Sequence, residues 1–210
     1  MPADSLEKTL VAGAREMGIV LGATQALALL RLTSELGEWN RRFNLTAITE
    51  PADMVRKHLL DSLSLQPYLQ GTRIADVGTG AGFPGLPLAL INPECRFALI
   101  EATAKKAGFV RHAAKLIGLA NVEVIPARAE NWRGPAPFDR VLARALGKLR
   151  EFVRVAGHLC APGGRMLAMK GRRPTAEIRE LPAGWRAVAV HEIRIPGLAA
   201  ERCIVELGRA

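Results

Sequence analysis

A glycine-rich stretch after a short apolar run is the part of the sequence best suited to binding a ligand. It reads Asp76-Val77-Gly78-Thr79-Gly80-Ala81-Gly82-Phe83-Pro84-Gly85. Glycines let the backbone turn sharply and approach a ligand where a Cβ atom would clash. Pro84 suits the start of the helix that follows. A strand, a glycine-rich turn and a helix in this order predict a nucleotide-type cofactor site at the carboxyl end of the strand.

Two carboxylates bear on which cofactor this loop binds. Residues 80–85 match the pattern GxGxxG, and Glu101 follows Gly80 by 21 residues, as in dinucleotide-dependent dehydrogenases. Asp76, however, occupies the strand end where a dinucleotide site has an apolar residue, and Gly78 opens a wider motif. A carboxylate there suits the cationic amino group of S-adenosylmethionine, while Glu101 suits the ribose of either cofactor. S-adenosylmethionine is favoured; an NAD(P)-dependent oxidoreductase and a structural turn without a ligand remain alternatives.

Positive charge is concentrated towards the C-terminal end of the chain. The 29 Lys and Arg residues exceed the 20 Asp and Glu residues, and residues 141–210 hold 13 basic against 6 acidic residues. This asymmetry predicts a surface for a polyanion, with nucleic acid favoured over a solvated face without a partner. The candidate phosphate contacts are Lys170, Arg172 and Arg173, with further charge on the same side from Arg144, Lys148, Arg150 and Arg154. Aromatic residues make up only 5% of the chain, so recognition would depend on RNA shape and phosphates, with Trp132 and Phe83 as candidate base stackers.

Composition excludes several other classes of protein. An apolar fraction of 49% in 210 residues excludes a mostly disordered chain. The three cysteines form no CxxC pair and no His-rich metal spacing, so we expect no metal site and a reducing compartment. The first residues lack the features of a signal peptide, and the apolar run 86–91 is too short to cross a bilayer. We therefore expect a cytoplasmic protein that is not attached to a membrane.

The elements that must position these residues change in character near residue 70. Residues 1–68 predict a helical cap: Ser5 caps a helix that runs to Met17, a second helix carries Leu27, Leu30, Leu36 and Trp39 at mostly helical spacing, and a third begins near Pro51. Residues 69–210 predict an α/β core of alternating strands and helices, which indicates a mostly parallel sheet covered on both faces. The predicted parallel strands are Arg73–Val77, Arg96–Ile100, Val122–Pro126, Phe138–Ala143 and Arg165–Met169, with helices at 85–91, 105–117 and 148–160. Two final strands, Trp185–Ile195 and Arg202–Leu207, predict a closing antiparallel hairpin, and the whole chain 1–210 is predicted to form one domain.

The order of several short motifs resembles one enzyme family. Asn44-Leu45-Thr46 and His58-Leu59-Leu60-Asp61-Ser62-Leu63 precede the glycine-rich loop, and Glu101, Ala129-Glu130, Ala143-Arg144-Ala145, Pro162-Gly163-Gly164 and Lys170-Gly171 follow it. Together they resemble the bacterial small-subunit ribosomal RNA guanine-N7 methyltransferases, also called glucose-inhibited division protein B. The two helical motifs before the loop are the specific part, because the loop alone is typical of methyltransferases in general.

The resemblance implies a Rossmann-like, S-adenosylmethionine-dependent fold with seven strands, and a substrate of 16S ribosomal RNA or the small ribosomal subunit. Carried over by position, Gly78 and Phe83 contact the cofactor, Glu101 holds its ribose, Ala129 and Glu130 flank its adenine, and Arg144 closes the site. With the loop residues Asp76 and Gly80 these form the predicted cofactor site. The predicted substrate contacts are Asn44, His58, Arg144, Lys170, Arg172 and Arg173. A non-catalytic RNA-binding protein remains a further alternative, and the oligomeric state is not predicted.

Residues that other methyl-transfer reactions require are missing. The segment after the fourth strand is Ala143-Arg144-Ala145-Leu146 rather than the Asn/Asp-Pro-Pro-aromatic segment used on exocyclic amines. Cys160, placed at a helix end, is predicted to be a core residue rather than a nucleophile for cytosine methylation. Guanine N7 carries a lone pair and no proton, so orientation supplies most of the rate without a base. No catalytic residue is predicted; His58 with Asp61 either faces the substrate or is structural.

Overall fold

The N-terminal part of the structure is a cap of helices. The structure, a computed structural model, describes residues 3–210, with side chains from residue 4 onward. Helices α1 (Ala3–Glu16) and α2 (Ala23–Phe43) are followed by a third helical segment built from α3 (Pro51–Met54), a π-helical stretch (Val55–Leu60) and α4 (Asp61–Leu63). The cap presents its apolar faces to the rest of the chain.

Two details of the cap differ from the sequence predictions. Helix α1 has already begun at Ala3, so Ser5 does not cap it; its carbonyl instead accepts a hydrogen bond from the Thr9 hydroxyl. In α2 the buried face contains Leu29 and Leu32, whereas Leu27 is 58% exposed. Within the predicted helical period Leu36 is buried and Leu27 is not, because leucines occur on more than one face of this helix, which leaves the period ambiguous.

A seven-stranded sheet forms the centre of the molecule. Strands β1 to β5 are parallel, while β7 is antiparallel to both β5 and β6, and the strand order is β3-β2-β1-β4-β5-β7-β6. Their bounds are Arg73–Val77, Arg96–Ile100, Val122–Ile125, Phe138–Arg144, Cys160–Lys170, Trp185–Ile193 and Arg202–Arg209. The predicted fold class, including the closing hairpin, is confirmed.

Helices cover both faces of the sheet. They are α5 (Gly85–Ile91), α6 (Ala104–Leu116), α7 (Leu149–Ala156) and α8 (Thr175–Arg179). Neighbouring strand residues point to opposite faces: Ile74 packs in a cluster with the cap, α5 and α6, whereas Ala75 packs in a second cluster with α7. The division of the chain at residue 68 stays a prediction, although cap residues share a cluster with sheet residues.

The fifth strand begins earlier than predicted. Strand β5 starts at Cys160, so this residue lies at a strand start rather than at a helix end, and it is buried as expected of a core residue. Pro162-Gly163-Gly164 lies inside β5 and not in a turn between elements, and the pairing of β4 with β5 shifts register near Phe138. The short helix α8 was not predicted.

The strand order determines where a ligand would bind. Strands β2 and β4 lie on either side of β1, so the direction in which the chain crosses the sheet reverses beside β1. In open α/β sheets ligands bind outside the carboxyl ends of the strands at such a reversal. The glycine-rich loop leaves β1 at this edge. No helix among residues 3–210 is long and apolar enough to cross a membrane.

Candidate active site

Asp76 holds the two ends of the glycine-rich loop together. It is fully buried at the end of β1, and its Oδ2 atom accepts hydrogen bonds from Thr79 Oγ1 at 2.6 Å and from the backbone nitrogen of Gly85 at 2.9 Å. Burial raises the pKa of this carboxyl to about 6, although the bonds from Thr79 and Gly85 act in the opposite direction. The strand end, the loop and the start of α5 therefore form one hydrogen-bonded unit.

The second oxygen of the same carboxylate is left without a partner. Asp76 Oδ1 is buried and makes no hydrogen bond within the described part of the chain. A buried carboxylate oxygen normally has a donor, because an unpaired one has lost its hydration without compensation. The loop therefore holds an acceptor that suits a donor supplied by a ligand.

Glu101, after β2, is joined to the loop by its side chain. Its Oε2 atom accepts a hydrogen bond from the backbone nitrogen of Gly80 at 3.0 Å, and its Oε1 atom accepts one from the backbone nitrogen of Thr103 at 2.7 Å. The two bonds fix the loop against the start of α6. Each carboxylate oxygen can accept a further bond, so these contacts leave capacity for the hydroxyl groups of a sugar.

The backbone of the loop adopts a conformation that favours glycine. Gly78 has φ +66° and Gly80 has φ +62°, in the left-handed region where a side chain is strained. A Cβ atom on Gly78 would also lie 3.0 Å from a methyl group of Leu146. Glycine at these positions keeps the backbone accessible to a ligand.

A cavity of about 380 Å³ adjoins the loop and brings together residues from four connections of the chain. Gly78 and Glu101 line it together with Ala129 and Glu130, which follow β3, and with Leu146, which follows β4. Four of the predicted cofactor-site residues therefore share one cavity. A larger cavity, of about 810 Å³, lies between α1, α2 and α3, but no residue of the glycine-rich loop reaches it.

The predicted residues Phe83, His58 and Arg144 form a second group beside the loop. The rings of His58 and Phe83 are stacked with centroids 4.6 Å apart, and the Arg144 guanidinium lies 5.5 Å from the Phe83 centroid. Arg144 Nη2 is 3.2 Å from His58 Nδ1, and Thr46 Oγ1 is 3.0 Å from His58 Nε2. Because arginine can only donate, Nδ1 accepts and Nε2–H donates to Thr46.

His58 is uncharged in this environment. Burial, and then the positive charge of Arg144, lower the pKa of its imidazole to about 3. At neutral pH the ring is therefore a neutral stacking partner for Phe83 and an acceptor for Arg144.

Asp61 connects this group to the far end of the chain. It is buried, and its two oxygens accept hydrogen bonds from Arg144 Nη1 at 3.3 Å and from Arg202 Nε at 2.9 Å. Arg144 Nη1 also donates to the carbonyl of Lys57 at 3.0 Å. The role of Arg202 was missed, since no sequence pattern pairs residues so far apart; the one available indication was a carboxylate three residues after His58 in a helix.

The predicted substrate contacts have different surroundings. Asn44 is exposed and ends α2 in a left-handed conformation, with φ 50°. The contact of Lys170 with a phosphate stays a prediction; within the fold its ammonium donates to the carbonyl of Gly147 at 2.6 Å and to Glu177 at 2.7 Å. Arg172 and Arg173 are exposed, and neither side chain forms a hydrogen bond or ion pair within residues 3–210. The nearby cations Lys148, Arg150 and Arg154 are paired with Glu180 or Glu151.

Neither predicted base stacker presents a free ring at this edge. Phe83 is only 2% exposed, because His58 covers its ring. Trp132 packs against Phe138 with centroids 5.9 Å apart. Phe138 is the first residue of β4, so Trp132 lies at the opposite edge of the sheet from the glycine-rich loop. Phe83 is therefore not available to a base, whereas stacking by the half-buried Trp132 stays a prediction.

The sequence matches an established family over most of its length. The profile of the family described as GidB, rRNA small subunit methyltransferase G, matches residues 25–205. The ribosomal RNA small subunit methyltransferase G of Methylococcus capsulatus is 50% identical over 195 residues, which cover 93% of this chain and 95% of the relative. The protein of the same name from Aromatoleum aromaticum is 47% identical over 206 residues, covering 96% and 98%.

Several solved structures with a similar fold are described as methyltransferases. TrmN from Thermus thermophilus has a TM-score of 0.59 and 23% identity, covering 74% of this chain and 53% of its own. A SAM-dependent methyltransferase from Aquifex aeolicus has a TM-score of 0.58 and 17% identity, covering 78% and 96%. At these identities the likeness establishes the fold, whereas the sequence matches establish the family. The chain belongs to the rRNA small subunit methyltransferase G family.

Proposed function

We propose that this protein transfers a methyl group from S-adenosylmethionine to N7 of a guanine in 16S ribosomal RNA of the small subunit. The observation that carries the proposal is the cavity beside the glycine-rich loop, where Gly78, Glu101, Ala129 and Glu130 meet. The buried Oδ1 atom of Asp76, in the strand that leads into the loop, adds an acceptor without a donor. Family membership supports the same reaction, because the relatives are named ribosomal RNA small subunit methyltransferases. Neither the oxidoreductase nor the non-catalytic alternative has support among these relatives.

The residues present fit S-adenosylmethionine. Its cationic amino group suits the unpaired Oδ1 atom of Asp76, and its ribose hydroxyls suit the remaining acceptor capacity of Glu101. Ala129 and Glu130 would border its adenine. When bound, this cofactor supplies a methyl group activated by an adjacent sulfonium.

The surroundings of the second group suit a reaction that needs no general base. A His58 imidazole with a pKa of about 3 is a weak proton acceptor at neutral pH, and Asp61 is occupied by two arginines. Guanine N7 has no proton to remove, so the protein has to bind and orient the base rather than deprotonate it. We propose that Arg144, His58 and Phe83 fix the geometry of the site at the edge where the base would approach.

The proposed substrate and location follow from the family and the charge. Exposed Arg172 and Arg173, with a net charge of +9 for the chain, suit contact with a polyanion. We propose that the reaction takes place in the cytoplasm, on ribosomal RNA that is free or within a small subunit. Among residues 3–210 no three His, Cys, Asp or Glu side chains are grouped as a metal site would require.

The test is a direct map of the product. Purified protein is incubated with labelled S-adenosylmethionine and either protein-free 16S ribosomal RNA or small subunits, and N7-methylguanosine is located by strand cleavage at that base. We expect one labelled guanine that is missing in RNA from a deletion strain and restored by its complement. Calorimetry should show binding of S-adenosylhomocysteine and none of NAD. Label on another atom or in another RNA, or binding of NAD instead, would contradict the proposal.

A further inference from the structure

The end of α2 carries an exposed aromatic ring that other rings support from below. Phe43 is 40% exposed and lies 5.4 Å from Trp39, measured between ring centroids. Trp39 in turn contacts the buried Phe109 of α6 at 5.5 Å. Phe43 is therefore the outer member of an aromatic row that begins in the core, which gives it a fixed position on the surface.

One lysine lies near this ring, and two further cations are sequence neighbours of the ring and of that lysine. The Lys105 ammonium lies 6.0 Å from the Phe43 centroid. Arg42 and Lys105 are exposed and Lys106 is half-buried, and none of the three side chains forms a hydrogen bond or ion pair in the part of the chain that the structure describes. They stand in contrast to Lys170, Lys148 and Arg154, which are paired with carboxylates.

The placement of the two lysines is unfavourable for the helix that carries them. Lys105 and Lys106 lie in the first turn of α6, which contains no acidic residue. The N-terminal end of a helix carries partial positive charge, so cations there are disfavoured and anions are favoured. This arrangement weakens the helix and increases attraction for an anion such as a phosphate.

Two short segments of the chain connect this surface to the candidate active site. Helix α6 follows Glu101, whose carboxylate accepts from Thr103 at the start of the helix and from Gly80 of the glycine-rich loop. Phe43 precedes the turn in which Thr46 contacts His58, the residue stacked on Phe83. A strand of nucleic acid with one base at the site could therefore continue over Phe43.

We propose that Phe43, Arg42, Lys105 and Lys106, here called the aromatic–basic surface, bind unpaired nucleotides of the RNA substrate. One base stacks on the Phe43 ring, and adjacent phosphates contact the three cations. Unpaired nucleotides are required because a base in an A-form duplex presents no free face for stacking. The inference rests on the proposed function and extends it to how the RNA is held.

The experiment measures RNA affinity rather than activity. The probes are protein-free 16S ribosomal RNA, intact small subunits, a short single strand cut from that RNA, and the same strand annealed to its complement. Phe43→Leu removes the ring and keeps an apolar side chain; we expect affinity for the single strand to fall roughly 5- to 100-fold and affinity for the duplex to change little. Replacing Arg42, Lys105 and Lys106 by Gln should reduce the slope of log affinity against log salt by about 0.7 for each phosphate that the protein no longer neutralises.

Matched controls lie on the same two helices. Leu27→Ala removes an exposed apolar side chain at the opposite end of α2, and Lys115→Gln removes a cation from the last turn of α6. Both should bind RNA as the wild type does. Affinity for S-adenosylhomocysteine, measured by calorimetry, should be unchanged in every variant, which shows that the fold is intact.

Three outcomes overturn the inference. In the first, Phe43→Leu binds the single strand within twofold of the wild-type affinity, and the triple variant keeps the wild-type salt slope. Another is an equal loss of single-strand and duplex affinity in Phe43→Leu. A defect seen only with intact small subunits and not with free RNA would assign the surface to a ribosomal protein instead. In each case the wild type still methylates RNA, whereas failure of the proposed function would remove methylation in the wild type itself.

Discussion

Two buried titratable side chains of the candidate site respond to pH in opposite directions. His58 has a pKa of about 3 in the folded protein, below its ordinary value of 6.5, because burial and Arg144 disfavour its charged form. Asp76 has a pKa of about 6, above its ordinary value of 3.8, because burial disfavours its carboxylate. The stability that His58 contributes is complete above pH 6.5 and is lost as the pH falls towards 3. The contribution of Asp76 is complete below its ordinary pKa and is lost as the pH rises through 6.

His58→Gln should therefore change how the free energy of unfolding depends on pH. As the pH falls below 6.5, the unfolded wild type binds a proton at residue 58 that the folded protein does not bind. The free energy of unfolding therefore falls by at most about 1.4 kcal/mol per pH unit. Urea unfolding at neutral pH and at about pH 4.5 should show that the wild type loses more unfolding free energy between the two pH values than the variant does. The control is Leu27→Ala, an exposed substitution that removes no titratable group and should keep the wild-type dependence. Equal slopes in wild type and His58→Gln would show that residue 58 is already charged when folded.

Gly78→Val should abolish most cofactor affinity while leaving the fold. The φ of +66° disfavours any side chain, and a branched one would also contact Leu146 at the mouth of the cavity. A left-handed residue costs about 1–2 kcal/mol, which the folded protein can tolerate. Calorimetry with S-adenosylhomocysteine measures the binding, and far-UV circular dichroism measures the fold. Gly184→Ala is the control, since Gly184 also has positive φ, +81°, but has open space around it; wild-type affinity in Gly78→Val would contradict the proposed site.

The residue types of the site could be predicted from the sequence, but several of their contacts could not. Asp76 and Glu101 were predicted as ligand contacts because they are carboxylates at the ends of strands. That they also tie the loop together through Gly85 and Gly80 depends on backbone geometry that motif spacing does not contain. Lys170 was predicted to meet phosphates from its position after β5; its pairing with Glu177 required the helix α8, which the sequence did not reveal.

Among the elements, α6 allows a test of charge and stability on a single helix. Its first turn carries Lys105 and Lys106 without an acidic residue, and its last turn carries Lys115. Because the helix dipole disfavours cations at the start and favours them at the end, Lys106→Glu should raise the free energy of unfolding by about 1 kcal/mol. Lys115→Glu should lower it by a similar amount. Both differences should shrink in high salt.

Urea unfolding of the two variants at low and high ionic strength gives the measurement. A loss of stability in Lys106→Glu would show that this lysine has a favourable partner in solution and would remove one argument for the aromatic–basic surface. The expected gain would mean that the wild-type sequence keeps a less stable helix end, as binding sites commonly do.

Strands with clear polar or glycine boundaries could be predicted closely, whereas others could not. Strands β1 and β2 were predicted to the residue, because each is a short, mostly apolar run of five residues bounded in this way. Strand β5 was predicted to start at Arg165, five residues late, because Gly163 and Gly164 are typical of turns; in the sheet they form part of an irregular strand start paired near Phe138. Helix α8 has five residues with no buried side chain, so it offers no apolar period to detect.

At the scale of the whole molecule, the basic C-terminal third divides into structural and available cations. Lys170 is 17% exposed and bound to Glu177, whereas Arg172 and Arg173 are exposed on the surface. The charge excess counted from the sequence therefore overstates the cations that are free to meet RNA, because carboxylates elsewhere in the fold neutralise several of them.

Arg172→Gln with Arg173→Gln should weaken RNA binding and reduce its salt dependence, by about 0.7–0.9 in the log–log slope for each phosphate that is no longer bound. Lys170→Gln should instead lower the thermal midpoint of unfolding and keep the slope, because it breaks the link between α8 and the end of β5. Filter binding across a range of salt concentrations and thermal unfolding measure the two effects. A reduced slope in Lys170→Gln at unchanged stability would reverse this assignment.

The ion pair between Asp61 and Arg202 joins residues that are 141 positions apart. A ribosome that adds about 5–20 residues per second takes roughly 7–30 s to pass from one to the other. Through that interval the carboxylate of Asp61 lacks its second arginine, and strand β7, which carries it, has yet to be made. The contact between Asp61 and Arg202 therefore forms only after strands β1 to β6 have been made, so the group around Arg144 and His58 gains this support late in synthesis.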